Sequence, residues 1–205
     1  MVLLTSNDTV LKLGENAPSF ILYGIDGKNH SLLEFKGKKA LLIIFMCNHC
    51  PYVKPKMQKM VDLQSRYGDL GFQLVAINPN DPSKNSEDSE DGMKQVAKDF
   101  HRGTKTMKNF AINQMAKEKG FNFPYLVDET QQIAKKYGAV CTPDPYLFNE
   151  KRELVYHGRI DDAHGKSEDA ATTNELEEAI KQVLLSGKTT VKQFPSMGCS
   201  IKWKS

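Results

Sequence analysis

Two cysteines two residues apart, in Cys47-Asn48-His49-Cys50, are the residues of this chain with the clearest capacity for chemistry. A pair at this spacing can close a small disulfide, share a metal ion or act as a redox-active dithiol. The pair follows the apolar run 40–46, whose lack of alternation is typical of a strand covered on both faces. We therefore expect the dithiol at the end of a central strand.

Helical periodicity follows Cys50, with apolar residues such as Val53 on one side and Lys56 and Lys59 on the other. This pattern predicts a helix that begins at the dithiol, with Cys47 at or just before its first turn. Helix N–H groups and the positive end of the macrodipole would there lower the pKa of the Cys47 thiol. We expect Cys47 to attack a disulfide and Cys50, one turn deeper, to resolve the mixed disulfide.

The remaining pattern predicts an α/β chain with a central mixed β-sheet flanked by helices. An N-terminal hairpin is expected at 17–28, and Gly37 stops one helical turn at 31–35. Further elements are strands at 72–77 and 123–127, an exposed polar loop at 78–92, a helical stretch at 93–120 broken near 103–104, helices at 129–137 and 173–185, and an antiparallel hairpin at 146–158. The charged run 159–164 is expected to be an exposed loop.

Composition limits the functional classes. The chain has 205 residues, a net charge of +3 and interspersed charges, which gives no case for a nucleic acid or an anionic membrane as partner. No apolar run is long enough to span a bilayer, and the amino terminus lacks a basic region followed by an apolar one. Four cysteines are too few for a disulfide scaffold. We expect a cytoplasmic protein that uses no cofactor.

Four phrases of the chain resemble one family. They are 45–54 (FMCNHCPYVK), 141–144 (CTPD), 158–162 (GRIDD) and 198–203 (GCSIKW). The chain is similar here to the peroxiredoxin-like branch of the alkyl hydroperoxide reductase and thiol-specific antioxidant family, from about residue 14 to its end. The resemblance implies a thioredoxin-like fold. It also implies a single domain over 1–205, with a core at about 14–187, an insertion at 86–106 and a C-terminal tail at 188–205.

Two prolines carry the thioredoxin resemblance further. Pro55 lies five residues after Cys50, where thioredoxins have a proline that bends the helix. Pro143 lies five residues before Phe148, where the family places a cis-proline opposite the dithiol. The resemblance implies that Thr142 offers its backbone groups to an extended substrate segment. It also implies substrates that are disulfide-bearing proteins or small thiols, and an electron donor that the sequence does not identify.

The chain departs from the residue patterns of both thioredoxins and peroxiredoxins. Leu41 occupies the place of the buried Asp that takes a proton in thioredoxins. Aligned as a peroxiredoxin on Cys50, the chain has Cys47 and Ile43 where that family has Thr and Pro, and the family's Arg is replaced near Cys141. Thiol-dependent peroxide reduction through Cys50 or Cys47 is therefore an alternative function.

The other candidate residues have open roles. Cys141 could resolve a sulfenate, join a metal site or be a small buried hydrophobe, and Cys199 is expected to be structural. His49 could add a positive charge beside Cys47 or be a solvated loop residue. A copper or zinc site formed by Cys47, Cys50 and Cys141, with His49 as a further candidate ligand, is the alternative from another class. Inert, reduced core cysteines are the remaining alternative.

Overall fold

A computed structural model describes residues 2–99, 120–166 and 168–204 of the chain. Its main sheet has seven strands in the order β3-β2-β6-β5-β4-β8-β9. The strands of this sheet are β2 (Ile21–Gly24), β3 (Asn29–Ser31), β4 (Ala40–Phe45), β5 (Phe72–Asn78), β6 (Tyr125–Val127), β8 (Asp144–Asn149) and β9 (Leu154–His157). The described helices are α1 (Met57–Tyr67), α2 (Glu90–Asp99), α3 (Gln132–Tyr137) and α4 (Glu175–Ser186).

The sheet is mixed, as the sequence predicted. Strand β4 runs parallel to β5, and β5 runs parallel to β6. Strand β8 pairs antiparallel with β4 on its other side and forms a hairpin with β9. The predicted N-terminal hairpin is also confirmed, because β2 pairs antiparallel with β3 across the turn that contains Asp26 and Gly27.

Strand β4 is covered on both faces and separates two apolar cores. All six of its residues are fully buried. Leu42 and Ile44 pack into the core that contains α1 and α4, whereas Ile43 and Phe45 pack into the core that contains α3. A strand with two apolar faces needs no alternation of polar and apolar residues, which explains its continuous hydrophobic run. The dithiol follows directly after this strand.

A second, three-stranded sheet joins the two ends of the chain. It consists of β1 (Leu3–Thr5), β10 (Met197–Ser200) and β7 (Cys141–Thr142), with β10 in the middle. Both pairings are antiparallel. Strand β10 comes from the segment that the sequence analysis treated as a tail, and its pairing with β7 brings that segment to the residues that precede Pro143.

Helix α1 begins later than the sequence predicted. Residues 51–53 form a turn, Lys54–Lys56 form a 3-10 helix, and the α-helix starts at Met57. The cause lies in Pro51 and Pro55, which have no N–H group to donate to a preceding carbonyl. The predicted helix start at the dithiol is therefore wrong, and Cys47 lies ten residues before the first α-helical residue.

Two lysines assigned to the solvent face of α1 are buried instead. Lys56 and Lys59 are 1% and 2% exposed, and each places its Nζ atom 2.7 Å from a carboxylate oxygen of Asp161. The expectation that residues 159–164 are exposed loop charge is wrong for Asp161, which is 1% exposed. A buried carboxylate needs a counter-charge, and the two ammonium groups supply it.

The structure describes residues 86–99 of the insertion predicted at 86–106. Residues 86–88 form a 3-10 helix that leads into α2, while the predicted break near 103–104 lies outside the described residues. The expected exposed loop at 78–92 contains buried polar residues, among them Asn78, Asn80 and Asp88. Among the described helices, none is long and apolar enough to cross a bilayer.

The buried charge cluster makes the first testable prediction. Asp161→Asn leaves two buried ammonium groups without a counter-charge, and removal of one partner from a buried pair costs about 3–5 kcal/mol. Equilibrium urea unfolding of the variant and the wild type measures this loss. Glu90→Gln, which breaks the partly exposed ion pair with Lys94 on α2, is the matched control and should cost about 0.5 kcal/mol or less. Equal costs for the two variants would contradict the account.

Candidate active site

The structure buries both thiols of the CxxC motif. Cys47 and Cys50 are both 0% exposed. The sheet continues one residue past β4, because the Met46 N–H group donates to the Ile77 carbonyl at 2.9 Å. Cys47 therefore leaves the sheet inside the core and has no helix N-terminus beneath it.

Thr142 contacts both sulfurs of the dithiol. The Cys47 Sγ atom lies 3.2 Å from the Thr142 hydroxyl oxygen, and the Cys50 Sγ atom lies 3.2 Å from the Thr142 carbonyl oxygen. The peptide bond between Thr142 and Pro143 is cis, as the thioredoxin resemblance implied. The loop that contains Pro143 therefore faces the dithiol, in the arrangement that the thioredoxin resemblance implied.

A third sulfur lies against Cys50. The Cys199 Sγ atom is 2.8 Å from the Cys50 Sγ atom, and Cys199 is fully buried. None of the four cysteines is in a disulfide bond. The sequence analysis expected a structural role for Cys199. No local signal could have placed it here, because 149 positions separate it from Cys50 and only the pairing of β10 with β7 brings them together.

The environment of the dithiol favours a thiolate on Cys50. A hydrogen bond from Cys47 lowers the pKa of Cys50 against the effect of burial. Hydrogen bonds from the Cys199 thiol and from the backbone of Cys199 and Tyr52 lower it further, to about 5. The Thr142 carbonyl opposes this charge, but four donors outweigh one acceptor.

Cys47 has the opposite environment. Its hydrogen bond to Cys50, its burial and the nearby Asp88 carboxylate raise the pKa of Cys47 well above its ordinary value, and only the Thr142 hydroxyl opposes them among the main causes. The expected depressed pKa of Cys47 is therefore wrong. The contacts of the reduced pair therefore favour the thiolate on Cys50 and the protonated form of Cys47.

The residues between the cysteines are held by the segment that precedes α2. The Asn48 N–H group donates to Asp88 at 2.7 Å, and the Asn48 side-chain amide donates to the Glu87 carbonyl at 2.6 Å. His49 Nδ1 lies 2.5 Å from Asp88 Oδ2, so His49 is the partner of a carboxylate rather than a solvated loop residue. These contacts fix the loop that joins the two thiols.

Asp88 is a site residue that the sequence analysis missed. It is 3% exposed, and burial would raise its pKa, but hydrogen bonds from His49, Asn80 and Asn48 lower the pKa below its usual value. Its carboxylate therefore stays charged inside the protein. The run of Ser, Asp and Glu around it resembles an exposed loop in every local respect, so sequence carries no signal for its burial.

The proposed copper or zinc set is not the group that the fold brings together. In the described part of the chain, the group of at least three such side chains that could surround an ion consists of Cys47, His49 and Asp88, whose donor atoms lie within 4.8 Å of one another. Cys50 and Cys141 are not in it. Burial, followed by the charge of Asp144, raises the pKa of Cys141, which keeps its thiol protonated and disfavours metal binding. Cys141 fits the interpretation as a small buried residue of β7.

The fold and the site together define a thioredoxin-fold protein with a buried dithiol opposite a cis-proline. A sequence profile of the AhpC/TSA family matches residues 13–157, and the chain belongs to that family. The matched range includes Cys47, Cys50, Thr142 and Pro143, whereas Cys199 lies beyond it.

Individual relatives agree with this assignment. Thiol-disulfide oxidoreductase ResA of Halalkalibacterium halodurans is 23% identical over 147 residues, which are 72% of this chain and 68% of that protein. The crystal structure of an uncharacterized conserved protein from Geobacillus kaustophilus has 38% identity and a TM-score of 0.82, and the match covers 100% of this chain and 97% of that one. The thioredoxin domain of a thiol-disulfide oxidoreductase from Bacteroides vulgatus has a TM-score of 0.51 at 17% identity, with 72% and 88% of the chains covered, and supports the fold.

The assignment of the thiolate makes the second testable prediction. Thiolates absorb near 240 nm, so the absorbance of the reduced protein should rise through a transition near pH 5, which Cys50→Ser removes. Cys47→Ala deletes the strongest hydrogen bond to Cys50 and should move this transition to higher pH. Far-ultraviolet circular dichroism over the same pH range separates titration from unfolding. A wild-type transition found only above pH 8, or one that survives in Cys50→Ser, would overturn the assignment.

Proposed function

We propose that the protein is a thiol–disulfide oxidoreductase that uses Cys47 and Cys50 to exchange electrons with disulfide-bearing proteins or small thiols. One observation carries this proposal: the Cys47 and Cys50 sulfurs both lie 3.2 Å from Thr142, the residue that precedes the cis-proline, and a third sulfur lies 2.8 Å from Cys50. A thiolate is the nucleophile of disulfide exchange, and an adjacent thiol is needed to complete the reaction. The names of the ResA relatives support the same reaction class.

The lowered pKa of Cys50 and the raised pKa of Cys47 make Cys50 the attacking thiol and Cys47 the resolving thiol, the reverse of the expectation from the sequence. Cys50, whose pKa is about 5, attacks a substrate sulfur, and one substrate thiolate leaves as the mixed disulfide forms. Cys47 then attacks the Cys50 sulfur, which releases the second substrate thiolate and leaves a Cys47–Cys50 disulfide. Cys47 must lose a proton in this second step, since its pKa is raised in the reduced protein.

The pair of His49 and Asp88 is placed to take that proton. The Cys47 sulfur, a ring nitrogen of His49 and a carboxylate oxygen of Asp88 lie within 4.8 Å of one another. Asp88 is hydrogen-bonded to Nδ1 of the His49 ring. An imidazole held by a carboxylate is a general base whose ring orientation is fixed. This pair takes the functional place of the buried Asp that thioredoxins have where this chain has Leu41.

A groove beside the dithiol offers a path for the substrate. It has a volume of about 530 Å³ and is lined by Pro51 and Tyr52, which follow Cys50, and by Met197, two positions before Cys199. His164 and Lys166 form part of its polar wall. The buried sulfurs need a local displacement of these walls to meet a substrate disulfide. A slow reaction with bulky substrates and a faster one with small disulfides are consistent with this geometry.

Loss of either sulfur of the dithiol makes the third testable prediction. Reduction of insulin disulfides, with dithiothreitol as the electron source, should fall to the uncatalysed rate in Cys50→Ser, because the nucleophile is gone. Cys47→Ser should turn over more slowly than the wild type, because the second sulfur of the CxxC pair is gone. Cys141→Ser is the matched control for removal of a buried thiol and should turn over at the wild-type rate. Wild-type turnover in Cys50→Ser would contradict the proposal.

Thiol-dependent peroxide reduction is a second candidate function, which the family assignment favours. The described residues place no arginine within hydrogen-bond distance of the Cys47 or Cys50 sulfur, so the group that polarises peroxide in peroxiredoxins has no counterpart in contact with them. Hydrogen peroxide consumption by the same set of variants decides between the two. Consumption that depends on Cys50 and exceeds disulfide reduction would favour the peroxidase. An antioxidant role and a cytoplasmic location stay predictions, which cell fractionation and an oxidant challenge of a deletion strain would check.

The proton acceptor makes the fourth testable prediction. Asp88→Asn removes the carboxylate that orients His49 but keeps an oxygen that can accept the Asn48 N–H bond. Loss of general-base assistance should slow turnover by about 10²-fold and flatten its pH dependence. Glu87→Gln, an exposed carboxylate on the same 3-10 helix, is the matched control and should keep the wild-type rate. An unchanged rate and pH profile in Asp88→Asn would remove His49 and Asp88 from the mechanism.

A further inference from the structure

The C-terminal strand occupies the edge at which a substrate segment was expected. Strand β10 pairs antiparallel with β7, and Cys199 lies directly opposite Thr142. Thr142 was predicted to offer its backbone to an extended substrate, and this prediction is corrected by the pairing, because a segment of the chain itself is bound there. Strand β1 covers the other edge of β10, with Leu3 opposite Cys199.

Close contacts hold this strand against the cis-proline loop. The Ser196 hydroxyl donates to the Pro143 carbonyl at 2.5 Å, and the Ser196 N–H group donates to Ser6 Oγ at 2.8 Å. A Cβ atom at Gly198 would collide with the Thr142 carbonyl oxygen, so only glycine permits this approach of the two backbones. The position of Cys199 is therefore fixed from both sides.

Cys199 lies in the position that the sulfur of a bound substrate would take. Its strand is extended and opposite Thr142, and its Sγ atom is 2.8 Å from the Cys50 Sγ atom. We propose that Cys199 is a second resolving thiol, which forms a Cys50–Cys199 disulfide during the catalytic cycle. The inference rests on the proposed disulfide exchange at Cys50 and deepens it, because it assigns a role to a residue outside the CxxC motif.

The exchange step balances without an added oxidant. Once the substrate has oxidised the dithiol, the Cys199 sulfur attacks the Cys50 sulfur, a Cys50–Cys199 bond forms and the Cys47–Cys50 bond breaks. The proton of Cys199 passes to the Cys47 thiolate, and the count of disulfides stays at one. The same attack on a mixed disulfide at Cys50 releases the substrate thiolate instead.

The charge state of Cys50 controls this step. In the reduced protein, burial and the negative charge of Cys50 raise the pKa of Cys199 to about 12. A Cys50 sulfur within a disulfide carries no charge, so one of the causes that hold the proton on Cys199 disappears when the site is oxidised. Loss of the Cys50 charge therefore makes the Cys199 thiol easier to deprotonate in the oxidised site than in the reduced one, although its burial is unchanged.

Disulfide mapping tests this proposal on the full chain. The protein is equilibrated with glutathione disulfide, blocked with N-ethylmaleimide and digested with trypsin without reduction. Cleavage after lysine places Cys47 and Cys50 in peptide 40–56, Cys141 in peptide 137–151 and Cys199 in peptide 193–202. The proposal predicts a cross-linked species of 40–56 with 193–202 in the wild type, and predicts it as the main product in Cys47→Ser.

Variants identify the sulfurs involved. The cross-link should vanish in Cys50→Ser and in Cys199→Ser, and Cys141→Ser, which removes a buried thiol of the neighbouring strand, should retain it. Circular dichroism confirms that each variant is folded, and the wild-type map needs no variant. A wild type that shows only the bond within peptide 40–56, together with a Cys47→Ser protein whose Cys199 is fully alkylated, would overturn the proposal.

The outcomes also separate this inference from the proposed function. If insulin reduction requires Cys50 but the cross-link never forms, the second resolving thiol is rejected and the oxidoreductase stands. If neither disulfide forms and insulin is not reduced, the proposed function itself is rejected. Cys199→Ser should be slower than the wild type mainly in the resolving step. Single-turnover measurements with a small aromatic disulfide follow this step separately.

Discussion

The Cys50 sulfur lies where the two sheets of the protein meet, and its contacts determine the rest of the site. Cys50 itself belongs to the loop that follows β4 of the main sheet. Its sulfur contacts the Thr142 carbonyl beside the cis-proline and the Cys199 sulfur of the small sheet. A thiolate with this many donors is stabilised without a helix N-terminus. The substitution of hydrogen bonds for a helix dipole is what distinguishes this site from the arrangement that its CxxC motif suggests.

Burial of the dithiol follows from the same constraint and limits its chemistry. Inside a core, a thiolate is shielded from random oxidation, but a large substrate cannot reach it directly. The protein compensates with internal groups: a protonated thiol on each side of Cys50, and a carboxylate with its histidine near Cys47. Each internal step of the proposed cycle passes a proton or a disulfide between side chains that lie within 4.8 Å of one another, so these steps need little reorganisation once a substrate has entered.

Local sequence patterns sufficed for much of the fold. The apolar run of β4, the hairpin of β2 and β3 and the parallel pair of β4 and β5 were predicted from periodicity and turn residues, whereas the cis bond at Pro143 was implied by the thioredoxin resemblance. The start of α1 was predicted wrongly, since hydrophobic periodicity was weighted above the missing N–H groups of Pro51 and Pro55.

The site was harder to predict because its chemistry depends on long-range contacts. Asp88 lies in a polar run and is buried only through its bonds to Asn48, His49 and Asn80. Asp161 is buried because Lys56 and Lys59 reach it from α1 and the turn before it. Cys199 meets Cys50 through a strand pairing between distant parts of the chain. The pKa order of Cys47 and Cys50 depends on these neighbours, so the motif alone could not give it.

The reduction potential of the dithiol tests the central claim most directly. Protein equilibrated across glutathione buffers, quenched with acid and alkylated, reports its thiol content at each potential. The account predicts that two thiols of the four are lost in one two-electron transition, with a tenfold change in the ratio of the two states for about 30 mV, and that Cys50→Ser abolishes this transition. Four thiols retained at every buffer ratio, or an unchanged transition in Cys50→Ser, would contradict it.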